Sequence, residues 1–112
     1  MIEIRNIHGQ LLHSIDAESL SSVYLDGLDL TAADFRGADL SDSYIGFCNL
    51  TGADFRGADL SRARLECDDV AGADFSGADL SGTDIDSTTD IEGDAITDDD
   101  TLMPSGHRPA YM

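Results

Sequence analysis

The sequence Ala-Asp-Phe-Arg-Gly-Ala-Asp-Leu-Ser occupies residues 33–41 and returns unchanged at residues 53–61. Residues 73–81 repeat it with Ser in place of Arg, so the three copies are spaced by twenty residues. A fixed spacing of this length is typical of repeat architectures, in which each unit packs on its neighbours. The repeat therefore decides the fold before the propensity of any single segment is considered.

A shorter period of five residues lies inside the repeat of twenty. Large apolar residues keep this phase through thirteen consecutive fives, at Leu25, Leu30, Phe35, Leu40, Ile45, Leu50, Phe55, Leu60, Leu65, Val70, Phe75, Leu80 and Ile85. A period of five matches neither the helix, with about 3.6 residues per turn, nor the two-residue alternation of a strand. The chain must therefore turn a corner every five residues, and four corners close one coil.

Stacked coils place side chains twenty residues apart on adjacent rungs, separated by about 4.8 Å. We name the four sides of the coil by the residues they carry. The Phe face has Phe35, Phe55 and Phe75 on its inner side, the Leu face has Leu40, Leu60 and Leu80, and the fourth face has Leu30, Leu50 and Val70. The Tyr face has Leu25, Ile45 and Leu65 on its inner side and Tyr24, Tyr44 and Arg64 on its outer side. A narrow interior filled by these side chains leaves no room for a cofactor, and none is expected.

The five-residue pattern, quoted as Ala-Asp-Phe-Arg-Gly and Ala-Asp-Leu-Ser, resembles the pentapeptide-repeat family over residues 23–87. The resemblance implies the all-β fold of that family, a right-handed quadrilateral β-helix. Thirteen fives correspond to about three to four coils of twenty residues.

The two flanks of the repeat segment are predicted to be caps. In residues 1–22, apolar residues alternate on both sides of the turn at His8-Gly9-Gln10, which indicates a β-hairpin followed by a turn. In residues 88–112, the five-residue phase slips at Ile91 and acidic residues accumulate. This segment is predicted to be an acidic, irregular C-terminal cap or tail.

The charge of the chain restricts its partners. It holds 23 Asp and Glu against 6 basic residues, a formal net charge of -17. Such a chain repels nucleic acid and anionic lipid, so direct binding to either is not expected, and the predicted partner is a basic protein surface. No apolar run is long enough to span a bilayer and no leader sequence is evident, which favours a cytoplasmic protein.

Catalytic and metal sites are not predicted. The histidines are scattered, Asp98-Asp99-Asp100 lacks the rest of a calcium loop, and Cys48 and Cys67 lack CxxC spacing. The two cysteine backbones can approach to about 6 Å, but their side chains should diverge, so free thiols are expected. The repeated carboxylates have no pocket that would distinguish one as an acid or base, so we expect no enzyme activity. Asp68 stands where the pattern requires a small inward residue, and we expect a bulged corner that lets it reach water or backbone amides.

The outward carboxylates are the first candidate binding surface. Asp39, Asp59 and Asp79 form an acidic column on the Leu face, whereas Arg36 and Arg56 partly neutralise the column of Asp34, Asp54 and Asp74 on the Phe face. In repeat and charge the chain resembles the quinolone-resistance members of the family, which act on DNA gyrase as DNA mimics, although it has half or less of their coils. The resemblance implies a non-catalytic module that mimics DNA and binds or inhibits a DNA-binding enzyme such as a topoisomerase.

The Tyr face is a second candidate surface. Tyr24 and Tyr44 replace the usual Asp there, and Phe47 replaces a corner glycine. Exposed aromatic residues suit a protein-binding patch, and equally they suit a cover for the corner or a folded-back tail. The alternative function is therefore a scaffold whose acidity serves solubility or salt tolerance, and a homodimer can form through a coil end or through Tyr44 and Phe47.

Overall fold

The Tyr face carries the longest hydrogen-bonded ladder in a computed structural model that describes residues 1–66 and 68–104. The strands, in chain order, are β1 (Ile2–Arg5), β2 (Leu11–Ile15), β3 (Tyr24–Asp26), β4 (Tyr44–Gly46), β5 (Arg64–Glu66) and β6 (Asp84–Ile85), followed by the short helix α1 (Ile91–Asp94). β3, β4, β5 and β6 form a parallel sheet in that order, with partners twenty residues apart such as Tyr24 and Tyr44. Each strand therefore belongs to a successive coil.

The other three faces are joined by narrower ladders with the same spacing. Parallel bridges link Asp34 to Asp54 and Asp74 on the Phe face, Asp39 to Asp59 and Asp79 on the Leu face, and Asp29 to Asn49 and Asp69 on the fourth face. Because all four sides are bonded from coil to coil around one interior, the repeat segment is a β-helix.

The interior is the set of apolar columns expected from the five-residue period. Twelve of the thirteen phased residues, from Leu25 to Leu80, are at most 1% exposed, and Ile85 at the end is partly buried. On the Phe face the rings stack with centroids 5.0 Å apart between Phe35 and Phe55 and 4.6 Å apart between Phe55 and Phe75. The predicted core is confirmed, and it is densely filled.

The corners use the left-handed backbone conformation. Gly57 is an example, with φ of 69°, at a position that the sequence marks with glycine in three copies. Some corners instead hold residues with side chains, namely Ser22, Ala32, Asp42, Phe47 and Arg62. An L-residue in this conformation costs about 1 kcal/mol or more, so these corners store strain that the ladders hold in place.

The N-terminal hairpin joins the edge of the first coil. β1 and β2 pair antiparallel, with Ile2 opposite Ile15. Beyond β1, Ile7 N donates to Ala32 O at 2.8 Å and Asp34 N donates to Arg5 O at 2.8 Å, both on the Phe face. Ile4 is 2% exposed and packs into the core cluster. The hairpin is thus a continuation of the stack at its N-terminal end.

The C-terminal segment is more regular than the sequence predicts. Ile91 takes the inward place of the fourth face one residue late, and α1, capped by a hydrogen bond from Gly93 N to Asp90 Oδ1, absorbs the extra length. Ile96 then pairs with Asp74 on the Phe face and Leu102 with Asp79 on the Leu face. Residues 88–104 therefore form a further, out-of-phase coil, while residues 105–112 of the predicted tail lie outside the described residues.

Candidate protein-binding surfaces

The Leu face carries the acidic column that the sequence predicts. Asp39 is exposed, whereas Asp59 and Asp79 are half-buried because a rung lies on both sides of them. Asp39 Oδ1 accepts a hydrogen bond from Ser41 Oγ at 2.6 Å, and Asp59 Oδ1 accepts one from Ser61 Oγ at 2.6 Å. In the described part of the chain these bonds leave the second oxygen, Oδ2, without a hydrogen-bond donor, so it is available to an incoming donor.

Two carboxylates of this column, Asp39 and Asp79, are stabilised in their charged form by the serines that follow them. Hydrogen bonds from Ser41, first from its hydroxyl and then from its backbone N–H, lower the pKa of Asp39, and Ser81 lowers the pKa of Asp79 in the same way. The hydroxyls thus fix the direction of the side chains and stabilise the charged form.

The Leu face is less free of positive charge than the sequence suggests. Arg62, at the corner beside Ser61, pairs with Asp42 one coil away, with Nε 3.1 Å from Oδ1. Its charge also contributes to the lowered pKa of Asp39 and Asp79. The twenty-residue spacing from Asp42 to Arg62 is the signal from which this cross-rung pair can be found in the sequence.

The Phe face is partly neutralised, as its arginines predict. Arg36 Nη2 lies 2.9 Å from Asp34 Oδ2, and Arg56 Nη2 lies 2.7 Å from Asp54 Oδ2. Arg36 Nε is also 3.9 Å from Asp54 Oδ2, so the guanidinium bridges two rungs. The arginine hydrogen bonds lower the pKa of both carboxyls. Asp74 completes the column. Ser76 takes the place that Arg36 and Arg56 have in the other two copies, so no arginine of this copy neutralises Asp74.

The Tyr face brings its two predicted tyrosines together. The rings of Tyr24 and Tyr44 stack with centroids 4.7 Å apart and planes 11° apart. Tyr44 lies across its own strand over Gly46, where any Cβ would collide with the Tyr44 ring. Glycine at position 46 is therefore explained by the ring above it. On the next rung Arg64 pairs with Glu66, which gives this face a charged border at 3.3 Å between Nη2 and Oε2.

Phe47 is the exposed aromatic residue at the corner of the Tyr face. Its side chain is 57% exposed and its φ is 54°, so a bulky residue holds a strained backbone while most of its ring faces solvent. A strained backbone at an exposed phenylalanine is unusual, because neither burial of the ring nor the preferred φ of the residue favours phenylalanine at this position. This combination makes Phe47 a candidate for contact with another molecule.

We expect Phe47→Gly to raise the free energy of unfolding by about 0.5 to 1 kcal/mol, because glycine relieves the left-handed strain but gains entropy in the unfolded chain. Urea denaturation followed by circular dichroism measures the change. Gly46→Ala, one residue earlier, serves as the comparison, since it adds a clash instead of removing strain. A marked loss of stability in Phe47→Gly would show that the ring packs against the fold.

Asp68 holds the corner between the Tyr face and the fourth face. It is 4% exposed, and its carboxylate accepts from Cys48 N at 3.0 Å and Glu66 N at 3.1 Å. Its own N–H donates at 3.0 Å to Oγ1 of Thr89, which lies twenty-one residues along the chain instead of twenty because of the phase slip. The side chain therefore reaches backbone amides, one of the two predicted destinations. Burial, followed by the nearby Asp86 and Glu66 charges, raises the pKa of Asp68 to about 7.

The thiol of Cys48 lies at this corner. Cys48 is buried, and burial, with smaller contributions from Asp68 and Asp26, raises its pKa. A thiol with a raised pKa is a poor nucleophile. Cys67 and the predicted divergence of the two side chains lie outside the described residues. In residues 1–66 and 68–104, no group of three or more His, Cys, Asp or Glu side chains is arranged to hold a metal ion.

The acidic columns and the aromatic patch lie on different faces of the β-helix, which is a rod of stacked coils. The chain order of the faces places the Phe and Leu faces side by side, so their two acidic columns form one continuous surface. The aromatic patch of Tyr24, Tyr44 and Phe47 lies on the Tyr face, opposite the Phe face. No helix within the described ranges has the length and apolar character needed to cross a membrane.

Comparison with known proteins agrees with the repeat. Residues 19–46, 39–67 and 69–89 match the pentapeptide repeats, with 8 copies. A pentapeptide-repeat protein from the cyanobacterium Cyanothece 51142 is 20% identical with a TM-score of 0.40, over 90% of this chain and 78% of that one. One from the Arabidopsis thaliana thylakoid lumen is 28% identical with a TM-score of 0.27, over 68% and 66%. No curated protein matches the chain. The matched repeats extend over more than half of the residues, and the chain belongs to the pentapeptide-repeat family.

Proposed function

We propose that this chain is a non-catalytic interaction module whose acidic β-helix binds a basic protein surface. Its most specific form is mimicry of DNA towards a DNA-binding enzyme such as a topoisomerase. Proteins of the family are generally non-catalytic structural or interaction modules. The proposal includes a right-handed quadrilateral helix of three to four coils, capped by the N-terminal hairpin, in a cytoplasmic protein.

The observation that carries the proposal is the column of Asp39, Asp59 and Asp79. The backbones of these residues are bridged from rung to rung, and their Oδ1 atoms accept hydrogen bonds from the serines that follow them. Within the described residues, the other oxygen of each carboxylate is available to an incoming donor. Neighbouring carboxylates at rung spacing repel by about 1 kcal/mol in water. A basic partner relieves this repulsion, so its binding gains free energy from charges that the fold already holds in place.

The charge density of the rod supports mimicry of DNA. Residues 23–87 carry 14 acidic residues and four Arg, a formal net charge of -10. At strand spacing their coils form a stack about 16 Å tall. Duplex DNA of that length carries about nine phosphate charges. A protein surface that recognises the backbone charge of DNA therefore meets a similar linear density on this rod.

The test is a charge reversal on the Leu face. We expect Asp39→Lys, Asp59→Lys and Asp79→Lys combined to abolish retention of DNA-binding proteins from a host lysate by the immobilised protein. Wild-type retention should fall between low and physiological salt and should be displaced by duplex DNA, because the contact is electrostatic. The matched control is Asp29→Lys, Asp69→Lys and Asp84→Lys combined, which makes the same change in charge on exposed positions of the other faces.

Three results would count against mimicry. Retention by the Leu-face variant would exclude that face as the contact. Equal loss in the control would show that only net charge matters. If neither salt nor duplex DNA changes the retention of the captured proteins, the acidic surface is merely solvated and does not bind them.

The strain at Phe47 favours a second candidate function. In this alternative, the patch of Tyr24, Tyr44 and Phe47 binds a partner protein, and the acidity of the rod serves solubility. Binding through aromatic contacts should tolerate salt and duplex DNA, and Phe47→Gly should weaken it without unfolding the protein. Unchanged binding in Phe47→Gly would remove this candidate.

A further inference from the structure

Within the part of the chain that the structure describes, the outer edge of β2 in the N-terminal hairpin has no strand partner. β1 bonds to β2 on one side, and its extension through Ile7 bonds to the first coil. The two-stranded sheet ends at β2, and no residue in the described ranges pairs with the outer edge of β2. An unpaired edge presents backbone N–H and C=O groups that can bond to another strand. The hairpin thus covers the first coil but ends the stack in a new edge.

β2 has none of the features that usually protect an edge. Its five residues, Leu11–Ile15, include no proline, no lysine or arginine and no acidic residue. It is the longest strand among the described residues. Met1, Ile7 and Leu11 are each at least half exposed in the same hairpin, so apolar surface accompanies the free backbone. This edge is suited to strand addition.

The charge distribution identifies the strand that can be added. Apart from its histidines, the only titratable side chains in residues 1–15 are Glu3 and Arg5, which pair at 2.9 Å, so the hairpin has no formal net charge. The whole net charge of -17 is carried by the rest of the chain. The C-terminal coil has Asp94 and three consecutive acids at 98–100. A second copy of this chain is therefore repelled along the rod and at the C-terminal coil, and is least repelled at the hairpin.

We propose that two copies of the chain dimerise by antiparallel pairing of their β2 edges across a two-fold axis. Identical strands in this arrangement satisfy each other's unpaired groups, as a self-complementary interface requires. The two rods extend in opposite directions, and their charges are separated by two hairpins, while screening in physiological salt acts over about 8 Å. The dimer goes beyond the proposed function, since it needs no other partner, and it doubles the length of the acidic rod.

Sedimentation equilibrium over a range of protein concentrations tests the proposal. Wild-type protein should show twice the 11.9 kDa mass of one chain. Leu11→Lys combined with Ser14→Lys should give the monomer, because four lysines would meet at the junction. Ser87→Lys combined with Thr88→Lys adds the same charge at exposed positions outside the hairpin and the Leu face, and should remain dimeric. Added salt should favour the wild-type dimer, whereas it weakens binding to a basic partner, so the two proposals fail separately.

Amide hydrogen exchange locates the contact. The outward-facing amides of β2 should exchange slowly in concentrated wild-type protein and faster on dilution, with no such change in the C-terminal coil. This readout applies even if the lysine variant fails to fold. Three outcomes would each overturn the proposal. They are a wild-type protein that stays monomeric at all concentrations, a dimer that persists in the Leu11→Lys and Ser14→Lys variant, and β2 amides whose exchange does not change on dilution.

Discussion

Phe55→Ala is expected to lower the free energy of unfolding by about 3 to 5 kcal/mol, which is a large part of the stability of a small domain. Phe55 is fully buried in the middle of the ring stack, between Phe35 and Phe75. A truncated ring leaves a cavity inside a narrow interior, where the coil-to-coil hydrogen bonds prevent the walls from closing. Urea denaturation followed by far-ultraviolet circular dichroism measures the effect.

Arg56→Ala is the matched control for this prediction. Arg56 is the next residue along the same rung, but its side chain is exposed and its ion pair with Asp54 lies at the surface. Loss of an exposed pair costs at most about 1 kcal/mol. If the two variants unfold at the same urea concentration, the ring stack is not the main support of the fold.

Asp68→Asn is expected to weaken the pH dependence of stability. The folded-state pKa of about 7 lies above the ordinary value of 3.8, so Asp68 stabilises the fold fully below about pH 4. This contribution is lost as the pH rises towards 7 and the buried group must ionise. Between pH 5 and pH 8 the wild-type protein should therefore lose about 2 kcal/mol that the Asp68→Asn variant does not lose. Urea midpoints at the two pH values give the difference.

Repulsion among the other carboxylates also grows with pH, but it is shared by wild type and variant and cancels in the comparison. Asp69→Asn, at the neighbouring exposed position, removes one charge without removing a buried group, and should follow the wild type. If the Asp68→Asn variant loses as much stability as the wild type over this range, Asp68 ionises freely in the folded protein.

The repeat made the interior of the fold predictable from the sequence. A five-residue period fixes which residue of each five points inward, so Leu40 and Phe55 are buried without any knowledge of neighbouring segments. The C-terminal coil was not predictable in the same way. Its inward residues are displaced by one position or more, and only the formed helix α1 shows how the added residues are absorbed. In the sequence, a phase slip looks like the end of the five-residue repeat, although the coil-to-coil bridges continue beyond it.

The candidate surfaces were predictable in position but not in detail. The spacing gives the columns that contain Asp39 and Tyr44, because outward residues repeat as regularly as inward ones. The reach of Arg62 to Asp42 depends on the rotamer of a long side chain. The partial burial of Asp59 depends on how closely the rungs cover one another. The backbone conformation of Phe47 departs from what its residue type prefers, and its place at a corner that glycine usually occupies is the sign of it in the sequence.

The parallel ladders also determine the order in which the protein can be built. Each coil of the repeat bonds to the coil twenty residues before it, so a growing chain always finds its template already synthesised. The hairpin emerges from the ribosome before the coils, and each later coil can add to a formed edge without waiting for a distant segment. The coil that pairs Ile96 with Asp74 is synthesised after all the coils it packs on, so it can close over an interior that is already formed.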